Sequence, residues 1–553
     1  MEISMERREF LKAAGTGIFG LALSRVGAWA RQDQSSKLNV LFIAVDDMND
    51  WIGPLGGNPQ ARTPNLDRLA ARGVTFTCAQ TGAAACHPSR TAIMTGVRPA
   101  TSAIVDNVFH ETPGPSWRQS PALANAVTLS QHFRNHGYYA AGGGKIYHAL
   151  QWGPWSENDP DTWDDYFPRW DTPIPTQPRP SEEEILEQGK TLFGNRPLGD
   201  SALFGWTPLP VADSDMSDYK VVDWAAGELQ KRHDKPFFLA AGVFRPHIPW
   251  EVPQKYYEMY PLDAIQLPKI EEDDLDDTWD HGRRNWHQWV LQNDQWKQAV
   301  QGYLASITFA DAQIGRLLDA LDRSAYRNNT IVVLWSDHGM HIGEKENWEK
   351  FTVWEESCRV PMFWIVPGLT KPGTRCDKPV SLLDIYPTLA ALTGTEAPAH
   401  QLQGESLLPL LRDPANGSHI QPAITTYRRA HAVRTARWRY IFYADGSNLE
   451  ELYDHDSDPD EFINVAYDPA CRKVLDEHRA LMTKYTGIKT PEGKPVPPRG
   501  FTLLEDGHIR RTHFVRLDNI VKQAIEARKQ GAAIPDINAI MRQNRQRTDR
   551  SSQ

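Results

Sequence analysis

The stretch Leu38-Asn-Val-Leu-Phe-Ile-Ala-Val45, which stops at Asp46-Asp47, decides the fold. Seven of its eight residues are apolar, and no alternation marks one face as wet. The pattern predicts a strand buried on both faces, the kind that belongs to a parallel sheet covered by helices. Two carboxylates stand at its carboxyl end, where open α/β sheets build their sites.

Working outward, the runs FFLAAGV at 237–243, IVVLW at 331–335 and PMFWIV at 361–366 read the same way. Helical patterns lie between them. One, about 300–321, puts Tyr303, Ile307, Ile314, Leu318 and Leu321 on one face. A shorter one begins at Thr63-Pro64, with Thr as cap and Pro at the first position, and is expected to end at Gly73. Strands alternating with helices predict an α/β domain over 38–394, a large doubly wound, mostly parallel sheet with helices on both faces. From about Thr395 the pattern changes. Segments 430–443 and 451–454 read as short antiparallel strands, so a smaller α+β C-terminal subdomain is expected over 395–485, then an extension over 486–553. Residues 150–215 carry Pro and Trp in place of periodicity, including Trp152, Trp155, Trp163 and Trp170, and read as an insertion. The acidic run 271–277 reads as a solvated loop.

A chain of 553 residues exceeds what one core fills. Its net charge of -10 argues against a nucleic-acid partner. No run of 18 apolar residues occurs, so no stable membrane anchor is expected. The N-terminus combines Arg7-Arg8, a mild apolar stretch from Ala13 to Leu23 and a small-x-small site at Ala28-Trp29-Ala30. That order resembles a twin-arginine export signal over residues 1–30 and predicts a periplasmic or secreted protein.

Asp46-Asp47 and Ser336-Asp337-His338-Gly339 both close predicted strands. Taken singly, either pair would serve as helix caps. Brought together, three carboxylates repel, and a divalent cation resolves the repulsion; hard oxygen donors favour calcium or magnesium over zinc. A third cluster is Cys86-His-Pro-Ser-Arg90, followed by Thr95-Gly96.

This third cluster resembles the signature of the sulfatase family, C-x-P-S-R and then T-G. The likeness continues in Gly144-Lys145-Ile-Tyr-His148, Phe244-Arg-Pro-His247-Ile-Pro249, Glu346-Asn-Trp-Glu-Lys350, and Leu452-Tyr-Asp454 with Asp458-Pro459 and Glu461. It covers about residues 38–470. The Lys-x-x-His spacing and the Arg-Pro-His run look like the branch containing iduronate-2-sulfatase. Ala140 and Met340-His341 depart from the family pattern.

The resemblance implies a formylglycine formed from Cys86 by a maturation enzyme, and one Ca2+ held by Asp46, Asp47, Asp337, His338 and that modified Cys86. The ion would polarise a sulfate oxygen, and a hydroxyl of the aldehyde hydrate would attack sulfur. It implies His247 as general acid, His148 as base, Arg90 and Lys145 as groups that orient the hydrate, and Lys350 as a sulfate holder. The substrate implied is a sulfated mono- or oligosaccharide, a uronate 2-O-sulfate in particular. The chain is net negative while this substrate is an anion, so the pocket has to be locally positive; Arg90, Lys145, His148, His247 and Lys350 meet that need. Two other readings stand beside this one. One is a phosphate or phosphonate ester hydrolase on the same fold; the other is a glycan-binding protein with an unconverted Cys86. Beyond Cys86, the residues Cys78, Cys358, Cys376 and Cys471 allow three full pairings or free thiols. Arg434 and Arg437 are candidates for a substrate carboxylate or simply surface strand residues.

Overall fold

Among the residues described by the computed structural model (37–108, 114–148, 157–168, 204–271, 274–278, 284–400, 402–498, 500–505 and 507–511), nine strands form the main sheet. They are β1 (Asn39–Val45), β2 (Val74–Gln80), β3 (Tyr139–Gly144), β4 (Asp165–Phe167), β5 (Phe237–Val243), β6 (Thr330–Ser336), β7 (Arg359–Ile365), β8 (Thr374–Cys376) and β9 (Val380–Ser381). Their spatial order is β8-β2-β7-β6-β1-β5-β3-β4, with β9 also on β2. All pairs are parallel except those of β7, which runs against both β2 and β6. The central strands β1, β5 and β6 are buried at every position, as their unbroken apolar runs require.

Alternate side chains of β1 face opposite layers. Leu41, Ile43 and Val45 join one core with α3 (Ser217–Gln230) and the long α4 (Trp296–Arg323). On the other face Phe42 meets Phe238 and Trp335, and Phe133 of the helix Leu129–Asn135 stacks on Phe238 at 4.7 Å. Register then sets the site. Val45 lies opposite both Ser336 and Val243, so Asp46 and Asp337 leave the sheet at one level. Gly144 lies opposite Gly242, so Lys145 leaves at the same edge. Gly144 has φ +72°, and a Cβ there would sit 2.1 Å from the Gly242 carbonyl oxygen. Only glycine permits that turn and approach.

A second, antiparallel sheet follows: β10 (Ala423–Tyr427), β11 (Ala430–Arg434), β12 (Trp438–Tyr443) and β13 (Glu450–Asp454). Leu475 and Met482 of α5 (Arg472–Thr486) share a buried cluster with Val433, Ile441 and Leu452. The run read as one segment, 430–443, is two strands, and β10 had no signal of its own. Arg439, wholly buried on β12, fastens the sheets together. It donates to Gln80 Oε1 of β2 at 3.0 Å and to the Val353 carbonyl at 3.1 Å, and it pairs with Glu355 and Glu461.

Several expectations are corrected. The helix α1 (Pro64–Ala70) stops before Gly73, and the Thr63 hydroxyl accepts from Gly53 N at 2.8 Å and does not cap the helix. Gly73 serves the sheet: a Cβ there would meet the Trp364 carbonyl oxygen at 2.0 Å. The acidic run is solvated at Glu271 but not at 274–276. Asp274 and Asp276 are buried, and Lys345 Nζ lies 2.6 Å from Asp274 Oδ1. Of the supposed insertion, 165–167 adds a strand to the main sheet, and Trp206–Leu209 pairs with Trp250–Pro253. Trp163 is buried against Tyr166 and Phe238, which makes it packing. Trp152, Trp155, Trp170 and the proposed signal at 1–30 lie outside the described residues, as does the extension beyond 511. No disulfide joins any two of the five cysteines. No helix among the described residues is long and apolar enough to cross a membrane.

Candidate active site

Six segments converge at the carboxyl edge of the sheet. Asp46 and Asp47 follow β1, and Asp337 and His338 follow β6. Cys86 is the first residue of α2 (Cys86–Thr95), a helix buried at all ten positions. Lys145 and His148 follow β3, His247 follows β5, and Lys350 lies in the loop between β6 and β7. All are buried. The structure therefore gathers the expected catalytic and metal-binding positions in one place, and Arg434 and Arg437, the two carboxylate-binding candidates, are not among them.

Arg90 organises the carboxylates from below. Its Nε donates to Asp337 Oδ2 at 2.7 Å and its Nη2 to Asp46 Oδ1 at 3.1 Å. Further donations go to the carbonyls of Val45 at 3.2 Å and Ile146 at 3.1 Å, and to that of Lys145. The guanidinium thus ties the ends of three strands to α2. Lys145 Nζ pairs with Asp46 Oδ2 and lies 3.7 Å from Cys86 Sγ. Lys350 Nζ holds both oxygens of Asp47, at 2.7 and 2.9 Å. His338 Nδ1 donates to the Gly339 carbonyl at 3.0 Å, which leaves Nε2 facing Cys86 Sγ at 3.2 Å. His247 gives its Nδ1 proton to the Ile248 carbonyl, and its Nε2 stands 3.8 Å from Asp47 Oδ2. The His148 ring lies 6.2 Å from that of His87, the neighbour of Cys86.

The backbone is strained here. Asp47 has φ +58°, a region L residues rarely adopt. It is held there from both sides: its N–H donates to Asp337 Oδ1 at 3.1 Å, and its carbonyl accepts from the Tyr303 hydroxyl of α4 at 2.8 Å. The Tyr303 oxygen in turn accepts from Asn49 N at 3.0 Å. Lys350 is flanked by Glu349 at φ +65° and Phe351 at φ +80°.

Charge is distributed unevenly. Burial acts to raise the Asp46 carboxyl, but Lys145 and Arg90 hold it well below its ordinary value. Burial pushes Asp47 up to about 7 despite Lys350 and His338. Burial also acts to raise the Cys86 thiol, and Lys145 and Lys350 outweigh it, so the thiol sits below its ordinary value. His148 and His247 are pushed well below the usual imidazole range, by burial first and then by neighbouring lysines.

The donor set could hold a metal ion. One atom from each of Asp46, Asp47, Cys86 and His338 falls within 4.8 Å of all the others. Asp337 stands beside this group, its Oδ2 3.6 Å from His338 Nε2. His338 is oriented by a second hydrogen bond as metal-binding imidazoles are. A second convergence, Glu355, His455 and Glu461, is already neutralised by Arg439 and is a structural ion-pair cluster.

Some participants had no distinct signal. Tyr303 reads in the sequence as one more core residue of an apolar helix face, yet its hydroxyl fixes the Asp47 turn. Thr81 and Ser89 both place a hydroxyl 2.6 Å from the Asp337 carbonyl; Ser89 belongs to the Cys86 motif, whereas nothing marks Thr81. Arg434 and Arg437 are occupied elsewhere. Arg434 faces Glu355 at 3.5 Å, and Arg437 is bidentate to Asp454 at 2.6 Å.

A buried cysteine lodged between lysines, beside paired carboxylates and two imidazoles, at the carboxyl edge of a parallel sheet, is the setting that a hydrolase of anionic esters needs. The Sulfatase family profile matches residues 38–395, and one described as N-sulphoglucosamine sulphohydrolase, C-terminal, matches 343–486. The chain belongs to the sulfatase family and is a sulfuric ester hydrolase. It is 38% identical over 464 residues to a sulfatase of Formosa agariphila, covering 82% of this chain and 88% of that one. It is 31% identical over 426 residues to human iduronate 2-sulfatase, covering 68% and 74%. A solved 2-O GAG sulfatase shares the fold with a TM-score of 0.60 at 24% identity, covering 82% of this chain and 92% of that one.

Proposed function

We propose that this protein removes a sulfate ester from a sulfated carbohydrate, with a 2-O-sulfated uronate as the substrate class, and that it is exported to do so. The observation that carries the reading is the lodging of Cys86 between Lys145, Lys350 and His338. Similarity to iduronate 2-sulfatase supports the substrate class. The Arg7-Arg8 segment supports export by the twin-arginine route.

Asp46, Asp47, Asp337 and His338 would hold a calcium ion, and Cys86 would be converted to formylglycine. Together these groups supply a polarised sulfate oxygen and an oxygen nucleophile that no ordinary side chain offers. The chain's own residues do the rest. Lys350 binds a sulfate oxygen and stabilises the charge that builds on it. Lys145 and Arg90 keep position 86 and the Asp46 carboxylate in place. His247, protonated at Nε2 once the anionic sulfate enters beside it and offsets Lys145 and Lys350, delivers that proton to the departing sugar oxygen. His148 takes a proton from the group at position 86 and so readies the site for sulfate release. Exclusion of water by the surrounding core strengthens each of these charge interactions.

The test is sulfate release from a 2-O-sulfated uronyl disaccharide by the protein and by its Cys86→Ala variant, together with the mass of the Cys86 peptide. Loss of turnover in a variant with unchanged circular dichroism, and an aldehyde mass in the parent, are expected. Full activity of Cys86→Ala refutes the reading.

A further inference from the structure

Arg428 stands at the tip of the β10–β11 hairpin, in the two-residue turn Arg428-Arg429 between the paired residues Tyr427 and Ala430. Where such turns need positive φ they favour glycine or asparagine, yet Arg428 occupies that conformation at φ +51°. Strain of this kind is retained where surrounding contacts impose it, and the contacts here all lead toward the site. Thr425 Oγ1 donates to the Thr81 carbonyl at 2.6 Å and Thr426 N to that of Gly82 at 3.0 Å, on the segment that delivers Cys86. Arg428 N donates to the Val105 carbonyl at 3.0 Å. The guanidinium Nε pairs with Asp106 at 3.3 Å. The next residue, Asn107, accepts from His87 N at 3.0 Å through Oδ1. On the other side Tyr427 packs on Phe351 at 5.4 Å; Phe351 follows Lys350, and its N–H donates to the Ala84 carbonyl at 3.1 Å.

Unlike Arg90, which is spent on carboxylates inside the fold, Arg428 has a side chain 62% exposed. Among the described residues its two terminal nitrogens make no hydrogen bond, while Asp106 and the Tyr427 ring, 5.5 Å from the guanidinium carbon, fix its stem. A planar fork held at its base and open at its end suits bidentate recognition of an oxyanion.

We propose that Arg428 is a specificity-determining residue: it binds a second oxyanion of the substrate, a carboxylate or a further sulfate, on the sugar whose scissile sulfate enters beside Cys86. This rests on the sulfatase reading above. The hairpin thus lends the second sheet a part in choosing the substrate. Arg428 touches no reacting atom, so its loss weakens substrate binding and leaves the chemical step alone.

The test compares the parent protein with Arg428→Ala and Arg428→Lys on three esters: a 2-O-sulfated uronate glycoside, a disulfated neutral hexoside and 4-nitrophenyl sulfate. Arg428→Ala is expected to raise KM about tenfold or more on the ester whose second anion it binds, with kcat within about twofold. Arg428→Lys recovers part of that loss, and the aryl sulfate, which has no second anion, is unaffected. An effect on the uronate alone assigns a carboxylate, and an effect on the hexoside alone assigns a second sulfate. Equal effects on all three, or none on either sugar, overturn the proposal. Should the parent protein release sulfate from none of them, the hydrolase reading falls by itself. The same comparison is then read as calorimetric binding to the Cys86→Ala variant with and without Arg428→Ala, and equal affinities overturn the proposal there too.

Discussion

Replacing Arg439 by Met should cost the protein about 3 kcal/mol or more of stability at neutral pH. Arg439 is wholly buried and neutralises two buried carboxylates, Glu355 and Glu461, while donating to Gln80 and to the Val353 carbonyl. Removing one partner from a buried ion pair costs about 3–5 kcal/mol, because a charge is left without compensation. Two neighbours soften the loss: Arg434 lies 3.5 Å from Glu355, and His455 Nε2 lies 2.9 Å from Glu461. The low end of the range therefore applies. The pH dependence adds a sign. Burial acts to raise both carboxyls, but Arg439 leads the cations that hold them below their ordinary values. Their contribution is present above the unfolded carboxyl value of about 4.3 and is lost as pH falls through the lower folded values. The deficit of the variant should therefore hold from pH 7 down to about 4.3 and narrow only below that value. Urea unfolding followed by tryptophan fluorescence at pH 7.5, 4.5 and 3.5 measures it. A midpoint at pH 7.5 indistinguishable from the parent protein, or a deficit that widens on acidification, would refute this account.

Three more outcomes are expected. Lys350→Ala should lower kcat/KM by about 10²–10³, the scale for removing one charge-stabilising donor; the fold should survive, and a loss under fivefold in steady-state assays would exclude Lys350 from the transition state. Treatment with a calcium chelator should lower the thermal midpoint, because an ion at a hundred times its dissociation constant contributes about 2.7 kcal/mol; an unchanged melting curve by calorimetry would count against a bound ion. His419, 3.0 Å from Asp384, is opposed by burial but raised above its ordinary value by that carboxylate. Its stabilisation is therefore complete below about pH 6.5 and fades as pH rises through the folded value. His419→Asn should then destabilise at pH 6 and converge on the parent protein at alkaline pH, which paired unfolding curves at pH 6 and 9 would show.

The parts of this molecule legible in its sequence are those fixed by local chemistry. The two-face burial of β1, β5 and β6 follows from apolar runs without alternation, and parallel register then carries Asp46, Asp337 and Lys145 to one edge. The Cys86 motif and the segments of His148, His247 and Lys350 were legible through their resemblance to the sulfatase family. What escaped depends on distant partners. Asp274 looked like one of several solvated acids until Lys345 appeared beside it, and no property of the run 271–277 announces that lysine. Gly73 resembled a helix stop because glycine has two uses, and the approach of Trp364 decides which applies. Tyr303 looked like core because an apolar helix face does not advertise which hydroxyl will meet a strained turn. Arg434 and Arg437 drew attention for a charge already spent on neighbouring carboxylates, whereas Arg428 passed unnoticed until the hairpin placed it.

Burial of α2 from Cys86 to Thr95 bears on the order of events in the life of the chain. A thiol with no exposed surface offers no stretch of peptide for another enzyme to grip once the sheet has closed over it. Any catalyst that rewrites Cys86 must meet it while residues 81–96 are still an open strand of peptide. A molecule that folds before that meeting keeps its sulfur for good, so the active fraction of a preparation would be set by a race between two rates during synthesis and would not change on later exposure to the same catalyst.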